Sequence, residues 1–117
     1  MVNNVRVVYL AGKMSGLPDL GFSAFDAARD ALRERGYVVI SPADISRAVM
    51  ERYPHLRGDA LIRKCYTDDV SAILNVADAV VMLPSWRESE GAQIEKRLAE
   101  YVKLPVFEYA ELLERVA

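Results

Sequence analysis

Apolar residues follow two patterns along this chain: short, mainly apolar runs, and longer stretches in which they recur every three or four positions. The short runs have the length and composition of strands, and the first and third of them are typical of buried strands. They are Val5–Ala11, Tyr37–Ile40, Asp78–Leu83 and Pro105–Tyr109. The stretches with helical spacing are Phe22–Arg35, Ala43–Arg52, Asp59–Val76, Ala92–Val102 and Ala110–Ala117. Gly, Pro and Ser cluster in the segments between them, at Gly12–Leu20, Tyr53–Gly58 and Pro84–Gly91.

The alternation of strands and helices predicts the fold class. It favours an α/β domain with a parallel sheet and helices on both faces. Right-handed crossovers limit the possible topologies. We expect the second strand to pair with one side of the first and the third strand with the other side, which gives the order 2-1-3-4. We therefore predict one domain over residues 1–117, with a three-layer, flavodoxin- or Rossmann-like sheet of four to five strands. Ligands of such sheets bind beyond the carboxyl ends of the strands where the order reverses, which is between the first and third strands.

Composition excludes several classes of function. The 117 residues carry a net charge of −2, so no basic field favours a nucleic-acid polymer. No apolar run reaches the roughly 18 residues of a membrane span, and no signal peptide is recognisable, so we expect a cytoplasmic protein. The single cysteine, Cys65, and the single histidine, His55, predict neither a disulfide nor a histidine metal site. We expect no metal and no cofactor.

The loops Gly12–Leu20 and Pro84–Gly91 are expected to meet where the strand order reverses, and the first of them is rich in glycine. Gly12 and Gly16 allow the backbone to approach a ligand, while Lys13 and Ser15 offer donors to an anion. The segment matches neither a Walker loop nor a dinucleotide-binding fingerprint. By itself it is equally consistent with a plain turn.

The second loop leads into a helix. Trp86 has two interpretations, a wall for a planar base or an ordinary packed aromatic. Ser89 is placed to cap the following helix. Arg87 and Gly91 complete the candidate binding residues of this loop.

Three carboxylates are candidates for chemistry. Glu95 lies about one turn into the helix after the second loop, where a carboxylate can act as a nucleophile or simply match the helix dipole. Asp68 and Asp69 are adjacent on a helix and therefore point about 100° apart, so that one can face the site and the other solvent. Asp78, at the start of a strand, is interpreted as a cap or turn residue.

Together these segments resemble the nucleoside 2-deoxyribosyltransferase superfamily, in particular its small DUF4406 branch. The resemblance covers nearly the whole chain. Besides the aspartate pair, the matching segments are YLAGKMSGLPD (Tyr9–Asp19), GYVVISPAD (Gly36–Asp44), ADAVVMLPSW (Ala77–Trp86) and SEGAQIE (Ser89–Glu95).

The resemblance implies roles for the site residues. Glu95 would attack C1′ of the sugar, Tyr9 would orient Glu95, and an aspartate would assist the leaving base. From Asp69 to Asp78, the acidic residue that opens the next strand, the spacing is one residue longer than is usual in the superfamily. Either Asp69 or Asp68 could therefore take the role of the assisting aspartate, and Asp69 is favoured. Ser89, six residues before the nucleophile, stands where relatives that use nucleoside monophosphates carry serine. A carboxylate there would repel a phosphate.

The resulting hypothesis is cleavage of the N-glycosidic bond of a nucleoside 5′-monophosphate, by hydrolysis or base exchange. The alternative is a module on the same fold that binds nucleotides without turnover. A receiver-like phosphoacceptor is disfavoured, because the strand ends lack its aspartates. The partner expected is a small nucleotide substrate, together with a second copy of the chain, since small members of the superfamily complete their sites across a dimer interface.

Overall fold

A four-stranded parallel sheet forms the centre of the molecule. The computed structural model describes residues 4–114. Its strands are β1 (Val7–Ala11), β2 (Val38–Ile40), β3 (Ala79–Met82) and β4 (Val106–Glu108). Their order is β2-β1-β3-β4, which confirms the predicted order. All pairs are parallel, and the part of the chain that the structure describes forms no fifth strand.

Among residues 4–114, five α-helices surround the sheet, and where the structure describes their ends these differ from the predicted ones by one or two residues. They are α1 (Phe22–Glu34), α2 (Pro42–Arg52), α3 (Gly58–Asn75), α4 (Glu90–Tyr101) and α5 (Tyr109–Glu114). Helix α2 begins at Pro42 because Ser41 caps it, and proline is well suited to the first helical position. Helix α4 begins at Glu90 because Ser89 caps it. The preceding loop contains a short 3₁₀ turn, Trp86–Glu88. The last three residues of the predicted closing helix lie outside the described residues.

The two faces of the sheet carry separate hydrophobic clusters, as a three-layer fold requires. Because side chains alternate along a strand, Val8 and Leu10 point to one face, and Tyr9 and Ala11 to the other. The first face packs against α1 and α5. The second packs against α3 and α4, and Tyr9 is part of that cluster. The candidate chemistry therefore begins inside a hydrophobic layer.

Asp78 fixes the start of β1 relative to β3. Its carboxylate accepts hydrogen bonds from the Arg6 and Val7 amides, each at 2.9 Å. These bonds hold the pKa of Asp78 below its usual value. Asp78 is thus a structural anchor at the amino end of the sheet, where it binds the neighbouring strand and does not cap or form a turn within its own segment.

The two loops beyond β1 and β3 are held together at the opposite end. The backbone amide of Lys13 donates to Ser85 Oγ at 3.0 Å. Gly12 is buried, and a Cβ at this position would lie 3.1 Å from Leu83 Cβ, so a side chain here would press on Leu83 and push the two strand ends apart by a few tenths of an ångström. Residues 4–114 include no helix long and apolar enough to cross a bilayer.

Candidate active site

Tyr9 and Glu95 form the centre of the site. The Tyr9 hydroxyl donates a hydrogen bond of 2.6 Å to Glu95 Oε2. Tyr9 lies in the middle of β1 rather than at its end, so its whole side chain is needed to reach α4, and the residue is 0% exposed. A bond this short to a carboxylate is typical of a charge-assisted pair. It fixes the position of the Glu95 side chain above the sheet.

Asp69 is the third member of this group. It lies on α3, packed over the same face of the sheet, and is only 4% exposed. Its Oδ1 atom has no hydrogen-bond partner among the described residues. Burial, reinforced by the negative charges of Glu95 and Asp68, raises the pKa of Asp69 to about 8. A buried carboxyl group without a partner is therefore protonated at neutral pH.

The protonation states of Glu95 and Tyr9 follow from the same surroundings. Burial raises the pKa of Glu95 to about 7, although the hydrogen bond from Tyr9 opposes that shift. Burial and the charges of Glu95 and Asp69 raise the pKa of Tyr9 well above its usual value, so Tyr9 remains a neutral donor. Between pH 7 and 8 the site thus favours an ionised Glu95 beside a protonated Asp69. That division of roles between two carboxyl groups is the arrangement used in acid–base and nucleophilic catalysis.

Asp68 does not take part in this group. It is half-exposed on α3 and forms an ion pair with Lys64, Nζ to Oδ1 2.9 Å. The rotation of about 100° between adjacent helical residues separates it from Asp69. Of the two candidates, Asp69 alone is buried beside Glu95.

The first turn of α4 borders the entrance to the site. Ser89 Oγ accepts a hydrogen bond from the Ala92 amide at 3.1 Å, which confirms its predicted capping role. A Cβ placed on Gly91 would lie 3.7 Å from the Tyr66 hydroxyl and 3.9 Å from Ser89 Oγ. Tyr66 was missed by the sequence analysis. Its position three residues before Asp69, one turn earlier on the same side of a helix, was the available signal.

The glycine-rich loop contributes to the site mainly through its backbone. Lys13 is half-buried, and its amide is the group that binds Ser85. Ser15 and Gly16 are exposed, and Gly16 has a left-handed φ of 82°. Within residues 4–114, no hydrogen bond links Ser15 or Gly16 to the Tyr9–Glu95 pair, so their predicted contact with an anion stays a prediction.

Trp86 and Arg87 point toward β4, on the far side of β3 from Tyr9. The Trp86 indole donates to Glu108 Oε1 at 3.4 Å, and the Arg87 guanidinium lies 3.5 Å from the same oxygen. Two cations, those of Arg87 and Lys96, lie over the indole ring, at 4.5 and 5.5 Å from its centre. The ring also packs against the hydrophobic cluster of this face. The interpretation of Trp86 as a packed aromatic accounts for all of these contacts.

Metal-binding and thiol chemistry find little support in the described residues. Residues 4–114 contain no group of three His, Cys, Asp or Glu side chains arranged to hold a metal ion. Cys65 is half-buried, and burial raises the pKa of its thiol, which makes it a poor nucleophile. His55 lies exposed in the turn between α2 and α3.

Comparison with known proteins places the chain in a family. Residues 6–108 match the model of DUF4406, described as a domain of unknown function. No curated protein matches the sequence significantly. The matched range includes all four strands, Tyr9, Asp69 and Glu95. The chain therefore belongs to the DUF4406 family.

Proposed function

We propose that this protein cleaves the N-glycosidic bond of a nucleoside or deoxynucleoside 5′-monophosphate. The observation that carries the proposal is the hydrogen bond of 2.6 Å between Tyr9 and Glu95 beside the buried Asp69. It supports one carboxylate held for attack and one carboxylic acid held for proton donation. The resemblance to nucleoside 2-deoxyribosyltransferases, in which a glutamate at the position of Glu95 is the nucleophile, supplies the substrate class.

In the first step of the proposed reaction, a carboxylate oxygen of Glu95 forms a bond to C1′ of the sugar. The bond between C1′ and the base nitrogen breaks, and its electron pair stays on the base. Asp69 gives its proton to the departing base, either directly or through a water molecule. The products of this step are the free base and a sugar ester of Glu95.

In the second step, a water molecule attacks C1′ and displaces Glu95. The carboxyl group of Asp69, ionised by the first step, accepts the proton of that water and is ready for another cycle. The net reaction adds water across the glycosidic bond and gives a free base and a sugar 5-phosphate. Two displacements at C1′ retain its configuration. If a second base takes the place of water, the same intermediate leads to base exchange.

Ser89 supports a phosphorylated substrate. Its hydroxyl is neutral and lies at the amino end of α4, where the helix dipole favours an anion. An aspartate there would place a second negative charge beside the phosphate. The proposed substrate therefore carries a 5′-phosphate, held near the first turn of α4.

The proposal includes a second copy of the chain as partner. Large apolar side chains are exposed on the neighbouring helices α3 and α4, namely Ile62, Leu74, Ile94 and Tyr101. Exposed apolar groups on two neighbouring helices can form part of an interface. Pairing through the same surface of two copies gives a closed dimer. The superfamily that the chain resembles completes its sites in this way, which favours a homodimer over an unrelated partner.

The test measures, by chromatography, the release of free base from a panel of ribonucleoside and deoxynucleoside monophosphates. We expect wild type to release a base from at least one member, and Glu95→Gln to reduce that rate by about a thousandfold or more, since it removes the attacking carboxylate. Mass spectrometry of a rapidly quenched reaction should detect a sugar phosphate bound to wild type.

Glu90→Gln is the matched control, because Glu90 is an exposed glutamate of the same helix. It should keep the wild-type rate. Base release by Glu95→Gln at the wild-type rate would contradict the proposed nucleophile. Saturable nucleotide binding by wild type with no base release from any member of the panel would instead favour a binding module.

A further inference from the structure

The Tyr66 hydroxyl lies at the entrance to the site and has no assigned role. Tyr66 precedes Asp69 by three residues, which is about 4.5 Å along a helix. Because α3 ends just before β3 begins, it runs opposite to the strands. Tyr66 is therefore nearer than Asp69 to the carboxyl edge of the sheet, where ligands of such folds bind.

A gap with room for one methyl group separates this hydroxyl from the first turn of α4. A methyl group on Gly91 would fit there in ordinary contact, 3.7 Å from the Tyr66 oxygen and 3.9 Å from Ser89 Oγ. A ligand atom in that space would therefore have two hydroxyl groups close to it, one from each helix. Only modest movement of either side chain would bring such an atom within hydrogen-bond distance.

Both hydroxyl groups are free to donate. Ser89 Oγ uses a lone pair to accept from the Ala92 amide, which leaves its proton available. The Tyr66 hydroxyl has no hydrogen-bond partner among residues 4–114. The buried Oδ1 of Asp69, also without a partner, lies one turn further along α3. Because the carboxyl group is protonated, it does not repel an anion at the entrance. Two neutral donors around one space match the oxygens of a phosphate group.

We infer that Tyr66 and Ser89 together bind the 5′-phosphate of the substrate in the space in front of Gly91. This inference rests on the proposed function and adds to it a specificity residue on α3. Tyr66 touches the part of the substrate that does not react. Its loss should therefore affect substrate binding, and not the rate of the bound complex.

The test compares KM and kcat for one nucleoside monophosphate and for the same nucleoside without phosphate. Tyr66→Phe removes one oxygen and keeps the ring. We expect it to raise KM for the monophosphate by about tenfold or more, the effect of losing a hydrogen bond to a charged group. The value of kcat, and KM for the nucleoside, should change little.

Two further measurements separate the phosphate contact from other effects. Inorganic phosphate should compete with the substrate in wild type and should compete more weakly in Tyr66→Phe.

Gly91→Ala fills the space without a steric clash and should also raise KM for the monophosphate. Tyr53→Phe, which changes a partly exposed tyrosine before α3, is the matched control and should behave as wild type.

The outcomes distinguish this inference from the proposed function. If Tyr66→Phe leaves KM and phosphate competition unchanged while Glu95→Gln stops base release, Tyr66 does not bind the phosphate and the proposed function stands. If wild type releases no base, calorimetry with the monophosphate and with phosphate replaces kinetics. Weaker binding by Tyr66→Phe then supports the inference although the catalytic proposal fails, and absence of binding by wild type contradicts both.

Discussion

At the scale of single residues, the site separates the behaviour of two carboxyl groups by their surroundings. Glu95 receives a hydrogen bond from Tyr9, whereas Asp69 has an oxygen with no partner. Both are desolvated, but the donor lowers the pKa of Glu95 relative to that of Asp69. At a pH between the two pKa values, Asp69 therefore keeps its proton while Glu95 is ionised, which is the arrangement that a nucleophile and a general acid require.

The first prediction in this context is a bell-shaped dependence of kcat/KM on pH. Activity should rise as Glu95 loses its proton near pH 7 and fall as Asp69 loses its proton near pH 8. Because the two groups interact, the measured values belong to the pair. Asp69→Asn should remove the alkaline limb and lower the maximal rate by about a hundredfold, the usual size of a general-acid contribution.

The control for this profile is Asp68→Asn. Asp68 forms an ion pair with Lys64 away from the site, so the rate at the optimum should stay close to that of wild type. Its negative charge does contribute to the raised pKa of Asp69. The alkaline limb should therefore remain and move slightly to lower pH. An unchanged alkaline limb in Asp69→Asn would contradict the role given to Asp69.

At the scale of elements, Ser89 combines two tasks at the start of α4. It caps the helix through its oxygen, and in our proposal it donates to a phosphate through its proton. The two tasks respond differently to substitution. Aspartate is as good a cap as serine, yet its charge opposes a phosphate.

We therefore predict that Ser89→Asp retains the stability of wild type but loses the preference for monophosphates. Its KM for the monophosphate should rise at least about tenfold, and its KM for the nucleoside should change little. Ser89→Ala should lower the free energy of unfolding by about 1 kcal/mol, because the cap is lost. Urea unfolding and kinetics on both substrates measure the two effects. A wild-type KM for the monophosphate in Ser89→Asp would rule out a phosphate at this position.

At the scale of the whole molecule, the two sides of the sheet differ in what they expose. Helices α3 and α4 cover the face that holds Tyr9, and their outer surfaces display Leu74 and Ile94, 48% and 57% exposed. Because each of these side chains is already about half buried, covering the rest against a second copy stabilises a dimer by roughly 0.7–1.5 kcal/mol for each one. Helices α3 and α4 would then both cover the site and form the contact with the second copy.

Accordingly, Ile94→Glu should shift the protein from dimer to monomer in sedimentation velocity experiments, because it places a charge in an apolar interface. Met50→Glu changes an exposed apolar residue of α2 and should leave the sedimentation coefficient unchanged. A wild type that sediments as a monomer at every accessible concentration would contradict the proposed dimer.

Most of the fold could be predicted from the chain alone, since it depends on local signals. Mainly apolar runs identify the buried strands β1 and β3, and Ser89 identifies a helix start. The handedness of the crossovers limits the possible strand orders, and the observed order is the one expected from pairing the second and third strands on either side of the first. The helix ends were less accurate, because caps and short 3₁₀ turns shift them by a residue or two.

The sequence by itself determined the α/β fold, the strand order and the candidates Tyr9 and Glu95. Only the tertiary structure decided that Asp69 rather than Asp68 is buried with them, that Trp86 turns toward Glu108, and that Tyr66 reaches Gly91. The reason is physical. Periodicity shows which residues share a face, but burial and its effect on a pKa depend on which helix packs over that face. That packing joins α3 to α4, which lie far apart in the chain.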